Sequence, residues 1–191
     1  MGEIYFIKKN YSSSFEYYKK SYDILIKHDD ITALSEVENS IGKVYFIQKE
    51  YDKARVCYNN ALTRLDGIEN KYFTIDVLIN LAQLEVLENE EIFLEHLHKA
   101  IKYGEQINAR KKLSKIYKII TEFYERKKDF KLSLMFYKKY HLMEQEIGTT
   151  VISHKLEIIK IELSKLFSGE EVQKITKLNK QLETDIWNKN A

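Results

Sequence analysis

Five histidines, one cysteine and six scattered glycines are the residues whose types could carry acid–base, metal, nucleophilic or phosphate chemistry. Two helical side chains share a metal only when three or four residues apart on one face. His96 and His98 are two apart, which turns them about 200° from each other around a helix. His98, next to the apolar face, is expected to be a partly buried structural residue. His28 and His141 have no histidine or cysteine three or four residues away, so no zinc spacing arises. Cys57 has no histidine near it in sequence, and a buried, unreactive thiol is expected. The glycines at 2, 42, 67, 104, 148 and 169 stand singly, so there is no glycine-rich phosphate loop. Glu90-Glu91 and Glu170-Glu171 fall in turns or helix starts, where carboxylates are solvated or cap. Tyr17-Tyr18-Lys19-Lys20 and Tyr137-Lys138-Lys139-Tyr140 set rings beside cations, as a single-strand nucleic-acid platform would. A net charge of +2 is too small for that role, and the rings fall where a core is expected. The chain is therefore expected to recognise rather than catalyse, with no metal and no cofactor.

The elements that must position these residues are helices. Proline is absent and glycine numbers 6 in 191 residues, whereas strands joined by tight turns need both. A hydrophobic fraction of 44% with 31% charged residues is that of a folded globular protein. No apolar run is long enough to span a bilayer, and MGEIYFIKKN lacks the basic, apolar and small-residue order of a signal peptide. One cysteine and no leader point to the cytoplasm.

Adding forty to the opening residues exposes a repeat. Gly2, Tyr5, Phe6, Ile7, Tyr11, Ser14, Tyr18 and Ser21 fall on Gly42, Tyr45, Phe46, Ile47, Tyr51, Ala54, Tyr58 and Ala61. Leu81-Ala82 falls on Ile41-Gly42, and after one deletion Phe93, Leu97 and Ala100 fall on Ala54, Tyr58 and Ala61. A fourth copy has Ile120-Thr121, Tyr124, Phe130, Ser133, Tyr137 and Tyr140. Apolar residues recur at three and four, and polar breaks separate two helices in each copy. One such helix pair cannot bury its apolar face alone, whereas stacked pairs share a continuous core.

Ile41, Gly42, Tyr45, Ala54, Tyr58 and Ala61 resemble the tetratricopeptide repeat family, over residues 1–147. The period near forty exceeds the 34 usual in that family, and Asp66-Gly67 stands where its closing proline would be. The resemblance implies an all-α, right-handed superhelical solenoid of antiparallel helix pairs. The expected units are 1–30 (partial), 31–70, 71–108 and 109–147, followed by a capping and coiled-coil helical segment over 148–191. Gly2 stands at a mid-helix position, so the chain is expected to be a fragment whose upstream repeats are missing. In the last segment Leu156, Ile159, Leu163 and Leu166 form a heptad-like stripe. Ser168 and Glu171 have capping-box spacing, and Ile175, Leu178 and Leu182 carry a stripe on to Trp187. The first part is expected to cover the end of the solenoid and the second to pair two chains into a homodimer. Ile152 to Leu156 loosely resembles a sensor-kinase phosphoacceptor segment, but Lys155 replaces its acidic residue and no proline follows. His154 is expected to be a solvated helix residue.

First helices of such repeats line the concave side. Their residues not used in packing are Asn39, Lys43, Phe46 and Ile47, then Asp76, Asn80, Gln83 and Val86, then Lys115, Lys118, Glu122 and Glu125. Of these, Asn39, Lys43, Phe46, Asn80, Gln83, Lys115, Lys118 and Glu122 form the candidate groove. Amide side chains both donate to and accept from an extended peptide backbone. The set partly resembles the carboxylate clamp of chaperone-binding tetratricopeptide proteins, where lysine precedes asparagine; here Asn39 precedes Lys43, and Ile119 replaces a basic residue. Repeats followed by FYKKYHLMEQEI and a charged helix resemble the input region of bacterial signalling proteins with a cyclase or kinase output. The resemblance implies a regulatory module that binds a protein or peptide. A tetratricopeptide pheromone receptor, or a fragment of a transcriptional regulator, is the alternative. Neither nucleic acid nor membrane is an expected partner of this segment.

Overall fold

The computed structural model describes residues 1–68, 70–86, 88–166 and 177, without the side chains of 153–157 and 159–166. Its elements are all helices: α1 (Gly2–Ile7), α2 (Tyr11–Leu25), α3 (Ile31–Ile47), α4 (Tyr51–Asp66), α5 (Lys71–Glu85), α6 (Glu90–Gln106), α7 (Arg110–Arg126) and α8 (Phe130–Leu166). By contact the chain divides into Met1–Glu144 and Gln145–Ala191. Within the first unit each helix packs on the next from α1 to α7, and α3 also touches α5, as α5 touches α7. The chain is an all-α solenoid of antiparallel helix pairs. His154, the Leu156–Leu166 stripe and the restart from Ser168 to Trp187 lie outside the described residues or side chains.

The turns within pairs one, two and four are built alike. Lys9, Lys49 and Lys128 enter the left-handed region at φ of 59°, 63° and 60°. The following amide then reaches back five residues to a carbonyl: Asn10 to Tyr5, Glu50 to Tyr45 and Asp129 to Tyr124, at 2.9, 2.9 and 3.0 Å. The same following residue starts the second helix. Asn10 and Asp129 accept from the amides of Ser13 and Leu132, whereas Glu50 makes no side-chain cap. A three-residue string thus both stops one helix and begins its partner.

Packing within each pair depends on how small one residue is. A Cβ at Gly42 would lie 2.5 Å from Cε1 of Tyr58, and one at Gly2 would lie 2.7 Å from the Tyr18 ring. Each glycine is therefore a seat for a ring. In pair three Ala82 and Leu97 share one buried cluster instead, a larger seat with a smaller occupant. In pair four the seat is Thr121, buried, its hydroxyl donating to the Tyr117 carbonyl at 2.8 Å.

Pair four therefore departs from the sequence register. Tyr137 was expected to match buried Tyr58, yet it is 49% exposed and stacks on His141, while Tyr58 is 1% exposed. Phe136 takes the buried place, its ring stacked on Tyr124 at 5.9 Å and near Tyr117 at 6.3 Å. Thr121 removes the glycine seat, and no described helix follows to cover Tyr137 as α5 covers Tyr58 through Val77, Leu81 and Leu84.

Candidate functional site

The first helices α3, α5 and α7 lie in sequence, α3 against α5 and α5 against α7, and a polar pair bridges each contact. Asn39 and Asn80 are both buried, and the Asn80 amide donates to Asn39 Oδ1 at 2.7 Å. The two candidate asparagines are thus brought together, and part of their hydrogen-bonding capacity is spent on each other. Each amide still has a second hydrogen-bonding end. Beside them Glu38 is buried and accepts from Arg64 Nε at 2.9 Å, which neutralises it.

Positive charge lies on the same helices. Lys43 lies over the Phe6 ring at 5.6 Å. Lys115 is solvent-exposed, yet the surrounding protein dehydrates its ammonium and holds its pKa below the usual lysine range. Asp76 opposes that shift, while Lys43 and Lys112 add to it. Of these groups, Lys112 of α7 and Asp76 of α5 are directly paired. On the acidic side, burial raises the Glu36 carboxyl above its ordinary range, with Asp30 and Asp76 adding repulsion.

Lys112, Tyr72 and Asp76 were missed by sequence reasoning as a unit. Lys112 is buried, donates to Asp76 at 2.5 Å and lies 3.7 Å from the centre of the Tyr72 ring. Tyr72 and Asp76 are four apart on α5, a spacing that shares a helix face and was legible. Their cation sits 36 residues further on, where no local pattern reaches.

The other candidates are less central. Phe46 is half-buried and leans on Tyr51, in the turn of its own pair, at 5.6 Å. Gln83 is exposed. Lys118 and Glu122 form an exposed pair one helical turn apart at 4.0 Å, an arrangement that contributes little.

The remaining chemical groups resolve as follows. His96, not His98, is the half-buried histidine, because α6 buries Phe93, Leu97, Ala100 and Gly104, and position 96 flanks that stripe. Burial lowers its pKa, with Lys99 and Arg55 adding to the effect against Glu95. His98 is exposed. Cys57 is free and half-buried, and burial followed by Glu38 pushes its thiol up to about 11. At neutral pH almost none of it is thiolate. Among the described residues no three His, Cys, Asp or Glu side chains are grouped to hold a metal ion, and no helix is long and apolar enough to cross a membrane.

No family model and no curated protein matches the chain. Among solved structures it is similar to the crystal structure of aspartyl phosphate phosphatase F from Bacillus subtilis, with a TM-score of 0.73 at 19% identity. The match covers 98% of this chain and 49% of that one, so the chain spans about half the neighbour's length. At that identity the likeness is one of fold.

Proposed function

We propose that this chain is a non-catalytic scaffold that binds an extended peptide or protein segment on its inner face. One observation supports the reading: polar pairs bridge the first helices, Asn80 with Asn39 between α5 and α3 and Lys112 with Asp76 between α7 and α5. Extended peptides present backbone amides at regular spacing, which the free ends of the asparagine amides can meet. Partly dehydrated ammonium groups interact more strongly with a ligand carboxylate than solvated ones do. The shared solenoid fold supports the scaffold; the neighbour's action on aspartyl phosphate is a property of that protein. In this reading units 1–30, 31–70, 71–108 and 109–147 make the scaffold, and 148–191 relays occupancy to an output domain in a longer bacterial signalling protein.

A displayed library of extended peptides, panned against the chain, tests the face. Captured peptides should be enriched in carboxylates, and Lys43→Ala with Lys115→Ala should weaken capture by tenfold or more without lowering helicity. Capture unchanged by that double variant would move the site off this face. The coding sequence beyond Ala191 tests the signalling part: absence of an output domain there would remove it while leaving the scaffold standing.

A further inference from the structure

Asp76 has two cations near it and serves one. The register step that carries Ala82 of α5 onto Thr121 of α7 also carries Asp76 onto Lys115. Lys115 lies one helical turn beyond Lys112 on the same face of α7. The carboxylate is committed to Lys112, at 2.5 Å. Tyr72 holds Lys112 from a second side, the ammonium lying 3.7 Å from the centre of its ring. The Lys112 side chain is 10% exposed and that of Asp76 37% exposed, so the pair is partly shielded from water.

Lys115 is the other cation. It is exposed, and among the described residues it forms no ion pair and lies over no ring. Burial by the surrounding protein lowers its pKa, Asp76 opposes that shift, and Lys43 and Lys112 add to it. Asp76 thus acts on Lys115 without pairing with it. Two allocations of this carboxylate are chemically possible. Paired with Lys112, it leaves the Lys115 ammonium open to a carboxylate from outside. Paired with Lys115, it would fill that place itself and repel an incoming acid. The structure holds the first arrangement, and the Tyr72 ring favours it, because it attracts the cation at Lys112 alone.

We propose that Lys112 is a positioning residue: with Tyr72 it withholds Asp76 from Lys115 and so keeps the Lys115 ammonium free for a carboxylate of the bound peptide. Asp76 is then a competitor built into the site. Lys112, being buried, acts through Asp76 rather than on the ligand. This role rests on the peptide-binding reading above.

An acidic peptide selected from the displayed library, with a fluorescent label, is the probe, and its anisotropy on the full chain reports binding. Lys112→Met keeps an aliphatic stem in the buried place and removes the charge, so the variant should fold, as circular dichroism will report. Its binding should weaken about fivefold, the upper end for an exposed charge pair. Lys112→Arg can still pair with Asp76 and stack on Tyr72, and should bind like wild type. Adding Asp76→Asn to Lys112→Met should restore binding. Lys111→Met makes the same change of charge at an exposed neighbour and should leave binding unchanged. Titration of the Lys115 amine by NMR needs no peptide. Asp76→Asn should lower its pKa further in the Lys112→Met background than in wild type, since only there does Asp76 become its partner. Three results would overturn the proposal: wild-type binding by Lys112→Met, no recovery in the double variant, or equal falls in the two titrations. Should the wild-type chain bind no acidic peptide, the peptide-binding reading falls and the role of Lys112 in it falls too, while the titration still reports whether Lys112 holds Asp76 away from Lys115.

Discussion

In the pair α3–α4 the Tyr58 ring sits over Gly42 and under α5; in α7–α8 the ring at the matching place, Tyr137, points away from the core. The two pairs share the same helix-stop turn and the same periodicity, and both bury the residue four before the ring, Ala54 and Ser133. What separates them is a seat without a Cβ and a following helix. A repeat signature therefore marks where a ring can go. Whether the ring is structural depends on a neighbour outside the repeat.

The largest test truncates the rings. Tyr58→Ala removes a buried aromatic and should cost about 3–5 kcal/mol in chemical denaturation, the range for large aromatic truncations. Tyr137→Ala should stay within about 0.5 kcal/mol, as surface substitutions do. Equal losses would erase the distinction between the pairs.

Next in size is the seat. Gly42→Ala places a methyl group against a ring that has nowhere to turn, and overpacking costs about 1–3 kcal/mol. The better helix propensity of alanine returns up to about 1 kcal/mol, so a net loss is expected. Gly148→Ala, with nothing within 4 Å of the new atom, should raise helicity instead. A stabilised Gly42→Ala would show that the seat is not tight.

The shared turn is the control. Lys49→Gly and Lys128→Gly relieve the same left-handed strain and should each stabilise by about 1 kcal/mol. A gain at one and not the other would mean that the two turns differ more than their hydrogen bonds indicate.

The smallest effect belongs to pair three, which has neither the glycine nor the ring. The folded pKa of His96 is lowered from 6.5, so the unfolded chain binds its proton more readily. The stability tied to neutral His96 is fully present above about pH 6.5 and declines as pH falls through that value. His96→Gln should flatten that decline in thermal melts taken between pH 7.5 and 5.5, and His98→Gln should leave it unchanged. A decline that survives His96→Gln would assign it to other groups.

Much of the fold was legible because its determinants are local. Absent proline, the three-and-four spacing and the string of lysine, cap and aromatic each act within one helix or turn. Gly2 and Gly42 could be paired with Tyr18 and Tyr58 at a constant offset before any coordinate. The inner face was legible only in part. Asn39 and Asn80 could be named from their helix positions, but the bond that joins them could not. The Asn80–Asn39 bond spans 41 residues and the Lys112–Asp76 bond spans 36, and both depend on how far one helix pair rotates onto the next.

By itself, then, the sequence determined that the chain is helical, where its helices stop, and which faces are apolar, because backbone propensity and side-chain period are settled over a few residues. Only the tertiary structure decided which equivalent residues are core: Phe136 rather than Tyr137, His96 rather than His98, Val44 but not Ile4. Burial is a property of the helix that arrives from elsewhere, and that helix is chosen by the stack.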